Sequence, residues 1–369
     1  MSLLNDSDIV LIDELLKKDF SGWFNSKEGG QYLQDFERRF SEFVGTKHGV
    51  AVCSGSAAIF TALRACDVAP GDFVAVPAYT HVGSVAPILL AGAKPLFVDV
   101  NEFGNMDPED LAKVTSIIKV KAIIVVHQLG LPCEMDLIRK HGEGAYIIED
   151  ASHALGAKYK GVNAGRLGDV GCFSIGGGRT KTIVTGEGGM ITVSDEKLYE
   201  KCKNMRNHGD RATDVDYFCF NFRMSELNAL IGLLQMDRLQ KLNDLQTENA
   251  KYLISRLPSY LEFLQPPPYI EPIYYIVGCR FNSKKAQMTR NDFIDKVVAK
   301  GFGGGIPRKN VGKGYAKLLT DVKYYTRFYR KLPMSERIRD ESVWIDWHRF
   351  PRTKEDINQL TGAFKEIHE

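Results

Sequence analysis

The sequence lacks the signatures of several common protein classes, and each absence removes a kind of function. None of its apolar stretches, residues 82–93 among the longest, approaches the roughly 20 residues that a membrane helix needs. The opening segment MSLLNDSDIVLIDELLKKDF mixes acids into its apolar positions, so no signal peptide is expected and a cytoplasmic location is. No CxxC pair occurs and the seven cysteines are odd in number, which argues against a disulfide framework or a zinc knuckle and for a reducing compartment. HExxH and other paired histidine spacings are missing as well. No metal is therefore expected, and His48, His127 and His208 are most simply structural. Neither GxGxxG nor GxxxxGK followed by Ser or Thr can be completed, which disfavours a nucleotide-cofactor dehydrogenase and an NTPase. An excess of one charge is missing too: 48 Lys and Arg against 46 Asp and Glu leave +2. That provides no basic field for nucleic acid, so small molecules are the expected partners.

What is present describes a folded, two-lobed chain. Its 369 residues exceed the roughly 250 to 300 at which a single core stops growing. Hydrophobic residues at 44% and charged residues at 25% are ordinary for a globular protein. Between residues 49 and 194 the runs GVAVC, FVAVP, PLFVDV, AIIVV, YIIED, VGCFSI and MITV alternate with helical patterns. Most are continuously apolar, as strands buried on both faces read, so the expected fold is α/β with a mostly parallel, helix-covered sheet. Residues 225–256 predict a long helix through the spacing of Leu227, Leu230, Ile231, Leu234 and Leu239. Beyond it, QPPPYIEP, the strand-like YYIVGCRF, GFGGGIP and a polar terminal helix near residues 354–367 suggest a smaller α/β lobe. The division is placed at residues 1–245 and 246–369.

Ligands of open α/β sheets bind beyond the carboxyl ends of the strands, and three such ends carry chemistry here. After GVAVC, Ser54-Gly55-Ser56-Ala57 opens a helix, which makes either an anion cradle or an ordinary serine cap. After YIIED, Asp150 could serve as a base, a metal ligand, a partner for a protonated heterocycle or only a helix cap. The stretch CFSIGGGRTKTIVTGEGGM places one lysine, Lys181, in a glycine-rich segment. A desolvated lysine loses its proton and becomes a nucleophile able to form an imine, whereas most lone lysines in such loops are only solvated.

Taken together, SGSAA, PAYTHVGSVAPILLAGAKPLFVDV, IIEDASHALGA, GDVGCFS, the GEGG turn, RNHG and FNFRMSELNALIGLLQ occur in an order and spacing that resembles the DegT/StrS sugar aminotransferases. The likeness is close over residues 36–239 and general elsewhere. It implies the type I aspartate-aminotransferase fold and pyridoxal 5'-phosphate as cofactor, held as a Schiff base on Lys181. By the same likeness Ser56, Ala57 and Ser174 bind the cofactor phosphate, Asp150 pairs with the pyridine nitrogen, and His153 stands near the phenolic oxygen. His81 takes the place of an aromatic residue that stacks on the ring. Lys181 lies five residues before Gly186, as the resemblance requires, but counting from Ser174 the pattern reaches Arg179. Arginine stays protonated and cannot form the imine, so the 176–179 stretch reads as a two-residue insertion. Asn221 would reach the phosphate of a neighbouring subunit, which implies a homodimer with shared sites.

The activity so implied moves an amino group from an amino acid, by likeness glutamate, to a keto-sugar, expected to be nucleotide-linked; Arg179, Arg223, Arg308 and Lys309 are the cations available to a sugar diphosphate. Three alternatives stand beside it. A deoxysugar dehydratase of the same kind would carry histidine in place of the lysine, and no histidine lies between His153 and His208. A non-catalytic, cofactor-binding regulatory protein is suggested by the insertion. A non-sugar ketone is also open as the acceptor.

Overall fold

A computed structural model describes residues 4–18, 28–176, 181–209, 220–302, 311–313, 330–346 and 353–368. The strand-forming runs become β1 (His48–Val52), β2 (Phe73–Pro77), β3 (Lys94–Val98), β4 (Ala122–Val126), β5 (Tyr146–Asp150), β8 (Val170–Ser174) and β9 (Gly189–Val193), with the two-residue strands β6 (Lys158–Tyr159) and β7 (Val162–Asn163) between. Seven of them form one sheet in the order β1-β9-β8-β5-β4-β2-β3. All run parallel except β9, which is antiparallel to both neighbours. Every residue of β4 and β9 is buried. Their continuous apolar character follows, because helices cover both faces: Val50 and Val52 pack into one core and Ala51, between them, into another.

The helix expected over 225–256 is Glu226–Ile254, capped by the Ser225 side chain on the Asn228 N–H. At 29 residues it is about 43 Å long. The division expected at residue 245 falls within this unbroken helix, whose Met236 and Leu239 enter the core beside the large sheet while Ala250 and Leu253 enter a second core. The second core lies between helices Arg290–Val297 and Lys354–His368 and a four-stranded sheet that includes Ile276–Phe281 and Ser342–Asp346. Only part of the expected leucine stripe is buried. Leu230 and Leu239 are, Leu227, Ile231 and Leu234 are half-buried, and the inward stripe also holds Gln235, Asn243 and Gln246. Buried amides cost free energy unless bonded, so their partners matter.

Candidate active site

Because β1, β2, β5 and β8 are parallel, their carboxyl ends share one edge of the sheet, and Ser56, His81, Asp150 and Ser174 all lie there. Asp150, the last residue of β5, is buried. Its Oδ2 accepts the Ser84 hydroxyl at 2.7 Å and its Oδ1 the Ser152 N–H at 3.2 Å. Ser84 stands 3.0 Å from Thr80 Oγ1, and since it gives its own proton to Asp150, Thr80 donates to Ser84. A carboxylate has about four lone-pair sites, which leaves Asp150 able to take another donor.

The anion cradle at the start of helix Gly55–Ala65 depends on close approach. A Cβ on Gly55 would sit 2.6 Å from Ser174 Cβ, and one on Gly189, in the GEGG turn, 2.3 Å from the Ser54 carbonyl oxygen. Only glycine at both positions lets β8 and β9 press against the helix start and bring Ser174 beside Ser56. His81 is near too, since a Cβ on Gly83 would meet both Ser56 Oγ and His81 Nδ1 at 3.0 Å. His81 Nδ1 accepts the Gly83 N–H and so caps helix Val82–Leu90. The Ala57 N–H is already bonded to Ser54 Oγ at 3.1 Å. The exposed Ser56 hydroxyl and the N–H groups of Gly55 and Ser56, at the positive end of the helix, remain for an anion.

Lys181 shares a recess with Ser152, His153, Ser174, Gln246 and Tyr275. Its Nζ donates to the Ser174 carbonyl at 2.7 Å. Burial pulls its pKa down to about 8, against smaller upward pulls from the Asp150 and Glu187 carboxylates. His153 is driven down to about 3, first by burial and then by the Lys181 charge, so its imidazole is neutral. Its ring stacks on Tyr275 with centroids 4.1 Å apart, and its buried Nδ1 has no hydrogen-bond partner among the described residues.

Asn221 and Arg223 reach the same edge by another route. Val52 and Arg223 form an isolated antiparallel bridge, as do Asn207 and Asn221, and the Cys53 N–H donates to the Phe222 carbonyl at 2.8 Å. Buried Arg206, ion-paired with Glu37, accepts the Phe222 N–H on its own carbonyl at 3.0 Å. The Asn221 side chain is exposed and takes the Arg223 N–H at 3.2 Å, while the Arg223 guanidinium donates to Asn207 at 2.8 Å. Arg179, Arg308 and Lys309 lie outside the described residues. Thr80, Ser84 and Tyr275 were not sequence candidates; a strand-end Thr-His-x-x-Ser beside the carboxylate was the available signal for the first two, and nothing local marked the third.

This constellation suits a phosphorylated, aldehyde-bearing heterocycle. Unspent N–H donors and a serine hydroxyl match the phosphate, Asp150 can take a ring N–H, the orphaned His153 Nδ1 awaits a polar ring substituent, and Lys181 is a nucleophile near neutral pH. Among the described residues no group of His, Cys, Asp or Glu could hold a metal ion. None of the described helices is long and apolar enough to cross a membrane.

Fold and site together define a pyridoxal-phosphate-dependent aminotransferase. The chain belongs to the DegT/DnrJ/EryC1/StrS aminotransferase family, whose model matches residues 8–364. It is 34% identical over 286 residues, 75% of this chain and 77% of the relative, to a GDP-perosamine synthase of Escherichia coli O157:H7. The solved aminotransferase from Psychrobacter cryohalolentis aligns with TM-score 0.85 at 26% identity, covering 99% of this chain and 98% of that one. The sugar aminotransferase Spr1654 from Streptococcus pneumoniae, solved in its PLP form, aligns with TM-score 0.85 at 23% identity over 99% and 96%.

The depressed lysine generates a direct expectation for the cofactor-free protein. Since the charged form is the one penalised, the amine should be half deprotonated near pH 8 instead of above 10. Competitive labelling of amines against pH, read by peptide mass, should give Lys181 a midpoint near 8. A midpoint like that of exposed Lys160 would contradict its burial.

Proposed function

We propose that this enzyme transfers the amino group of glutamate to the ketone of a nucleotide-linked hexose, with Lys181 as the covalent tether and proton carrier. The observation that carries this is the Lys181 amine, recessed and drawn down by burial to about pKa 8 beside the hydrogen-bonded Asp150 carboxylate. A lysine so placed is both nucleophile and, once released from its tether, a base of suitable strength. In the first half of the cycle it would carry the proton from the donor's Cα to the cofactor, and in the second half it would carry a proton from the cofactor to the carbon of the keto-sugar. Pyridoxal phosphate, when bound, supplies the electron sink. Asp150 keeps the heterocycle nitrogen protonated, held in aim by Ser84 and Ser152. Ser56, Ser174 and the Gly55 and Ser56 N–H groups hold the phosphate, with Ala57 at the same helix start, and neutral His153 faces the ring oxygen with His81 alongside. The lysine disfavours the dehydratase alternative. The free cysteines suit a cytoplasmic enzyme.

The nucleotide is inferred from the relative named GDP-perosamine synthase and from Arg223 at the site edge. The same segment motivates a homodimer in which Asn221 serves the neighbouring subunit's phosphate, since its side chain is exposed.

Two outcomes are expected. Asp150→Asn, which keeps size and hydrogen-bonding reach but loses the charge, should fold normally and lose at least about a hundredfold in turnover of glutamate with a GDP-linked keto-hexose. Near-normal turnover would remove Asp150 from its role. Mixing the inactive variants Lys181→Ala and Asn221→Asp should restore part of the activity, because one site of a mixed dimer would be intact. No recovery after verified subunit exchange would contradict the shared site.

A further inference from the structure

Ile175, which follows β8, is bonded to Thr185 and Gly188, which precede β9. The Ile175 N–H donates to the Gly188 carbonyl at 3.0 Å, and the Thr185 N–H to the Ile175 carbonyl at 2.9 Å. The Thr185 hydroxyl adds bonds to the carbonyls of Ile175, at 3.1 Å, and Glu187, at 2.9 Å. These bonds fix the shape of the loop's base. Buried Ile183 packs this stretch into the core beside the large sheet, and hydrogen bonds must hold its backbone there.

The long helix does that. Buried Gln235 spans Val184 completely, its Oε1 accepting the Val184 N–H at 3.1 Å and its Nε2 donating to the Val184 carbonyl at 2.9 Å. Seven residues earlier on the same helix, Asn228 Nδ2 donates to the Glu187 carbonyl at 2.8 Å. Two helical turns separate the two side chains, so they share one face and grip the loop at two points. The amide of Gln235 can satisfy both backbone groups at once because it carries an acceptor and a donor on one plane. A carboxylate cannot, since it would face the Val184 carbonyl without a proton, and an apolar side chain would leave both Val184 groups without these bonds.

We propose that Gln235 is a positioning residue for Lys181: by clamping Val184, three residues along the loop, it holds the lysine amine in the dry recess beside Asp150. This rests on the assignment of Lys181 as the reactive lysine. Among the described residues the Lys181 amine bonds the Ser174 carbonyl, a contact it could keep while tilting towards water. Gln235 touches neither the amine nor any ligand, and acts only through the backbone of the loop.

The test uses the full-length, cofactor-free chain and the pH dependence of amine labelling at Lys181, so it does not depend on the substrate or on turnover. Gln235→Met keeps the length and volume of the side chain and removes both bonds to Val184. With the loop released, water should reach the amine and its midpoint should rise by a unit or more, so that labelling at pH 8 falls about fivefold or more. Asn228→Ala, at a half-buried position that carries no core packing, should move the midpoint in the same direction and covers the case in which Gln235→Met does not fold. A lowered melting temperature with the midpoint still near 8 in the folded variants would show that Gln235 serves stability alone, and would overturn the proposal. If no variant, nor the native chain, labelled with a midpoint below 10, the assignment of Lys181 would fail first, which separates the two.

Discussion

The site depends on the exclusion of water at the carboxyl end of β5. Charged forms lose most when water is removed, and the two charged groups there respond differently. The Asp150 carboxylate accepts the Ser84 hydroxyl and the Ser152 N–H, which take the place of water around it, with Thr80 supporting Ser84. Lys181 has one carbonyl in compensation and gives up its proton more readily. A carboxylate held by hydrogen bonds and an amine drawn down by burial thus stand in one environment, and transamination needs both. The sheet order contributes by placing β5 at the centre, flanked by β8 and β4, so its end is covered from both sides.

Much of this was legible in the residues. The continuous apolar runs marked the strands to within a residue or two, because strands buried on both faces have no polar alternation to blur them. Leucine spacing placed the start of the long helix near Ser225, whose side chain proves to cap it. The SGSAA, IIED and GEGG segments marked strand ends where glycine, serine and carboxylate are costly unless used, and the cradle and Asp150 stand there. Gly55 and Gly189 turned out to be spacing requirements, each opposed by another segment's atoms at distances no Cβ could tolerate.

What was not legible came from contacts between distant segments. Gln235, Asn243 and Gln246 interrupt the leucine periodicity of the long helix and look like surface positions in sequence, yet all three are buried. Their amides bond the backbone of Val184, of Leu155 beyond His153, and of Ile273 and Tyr274 beside Tyr275. One helix therefore holds three of the segments that line the lysine recess. For the same reason a division at residue 245 could not be read from composition: the helix belongs to both cores. The stacking of Tyr275 on His153 likewise brings together residues 122 positions apart, at a place where neither residue's neighbours announce the other.

The central claim is that Lys181 is the residue that carries the cofactor, despite the irregular spacing before it. The most direct measurement is to treat the yellow, cofactor-loaded protein with borohydride, which makes the lysine linkage permanent, and to map the modified peptide by mass spectrometry. The account predicts a single reduced adduct on Lys181, with Asp150→Asn labelled at the same position. An adduct on any other lysine, with Lys181 recovered unmodified, would contradict it.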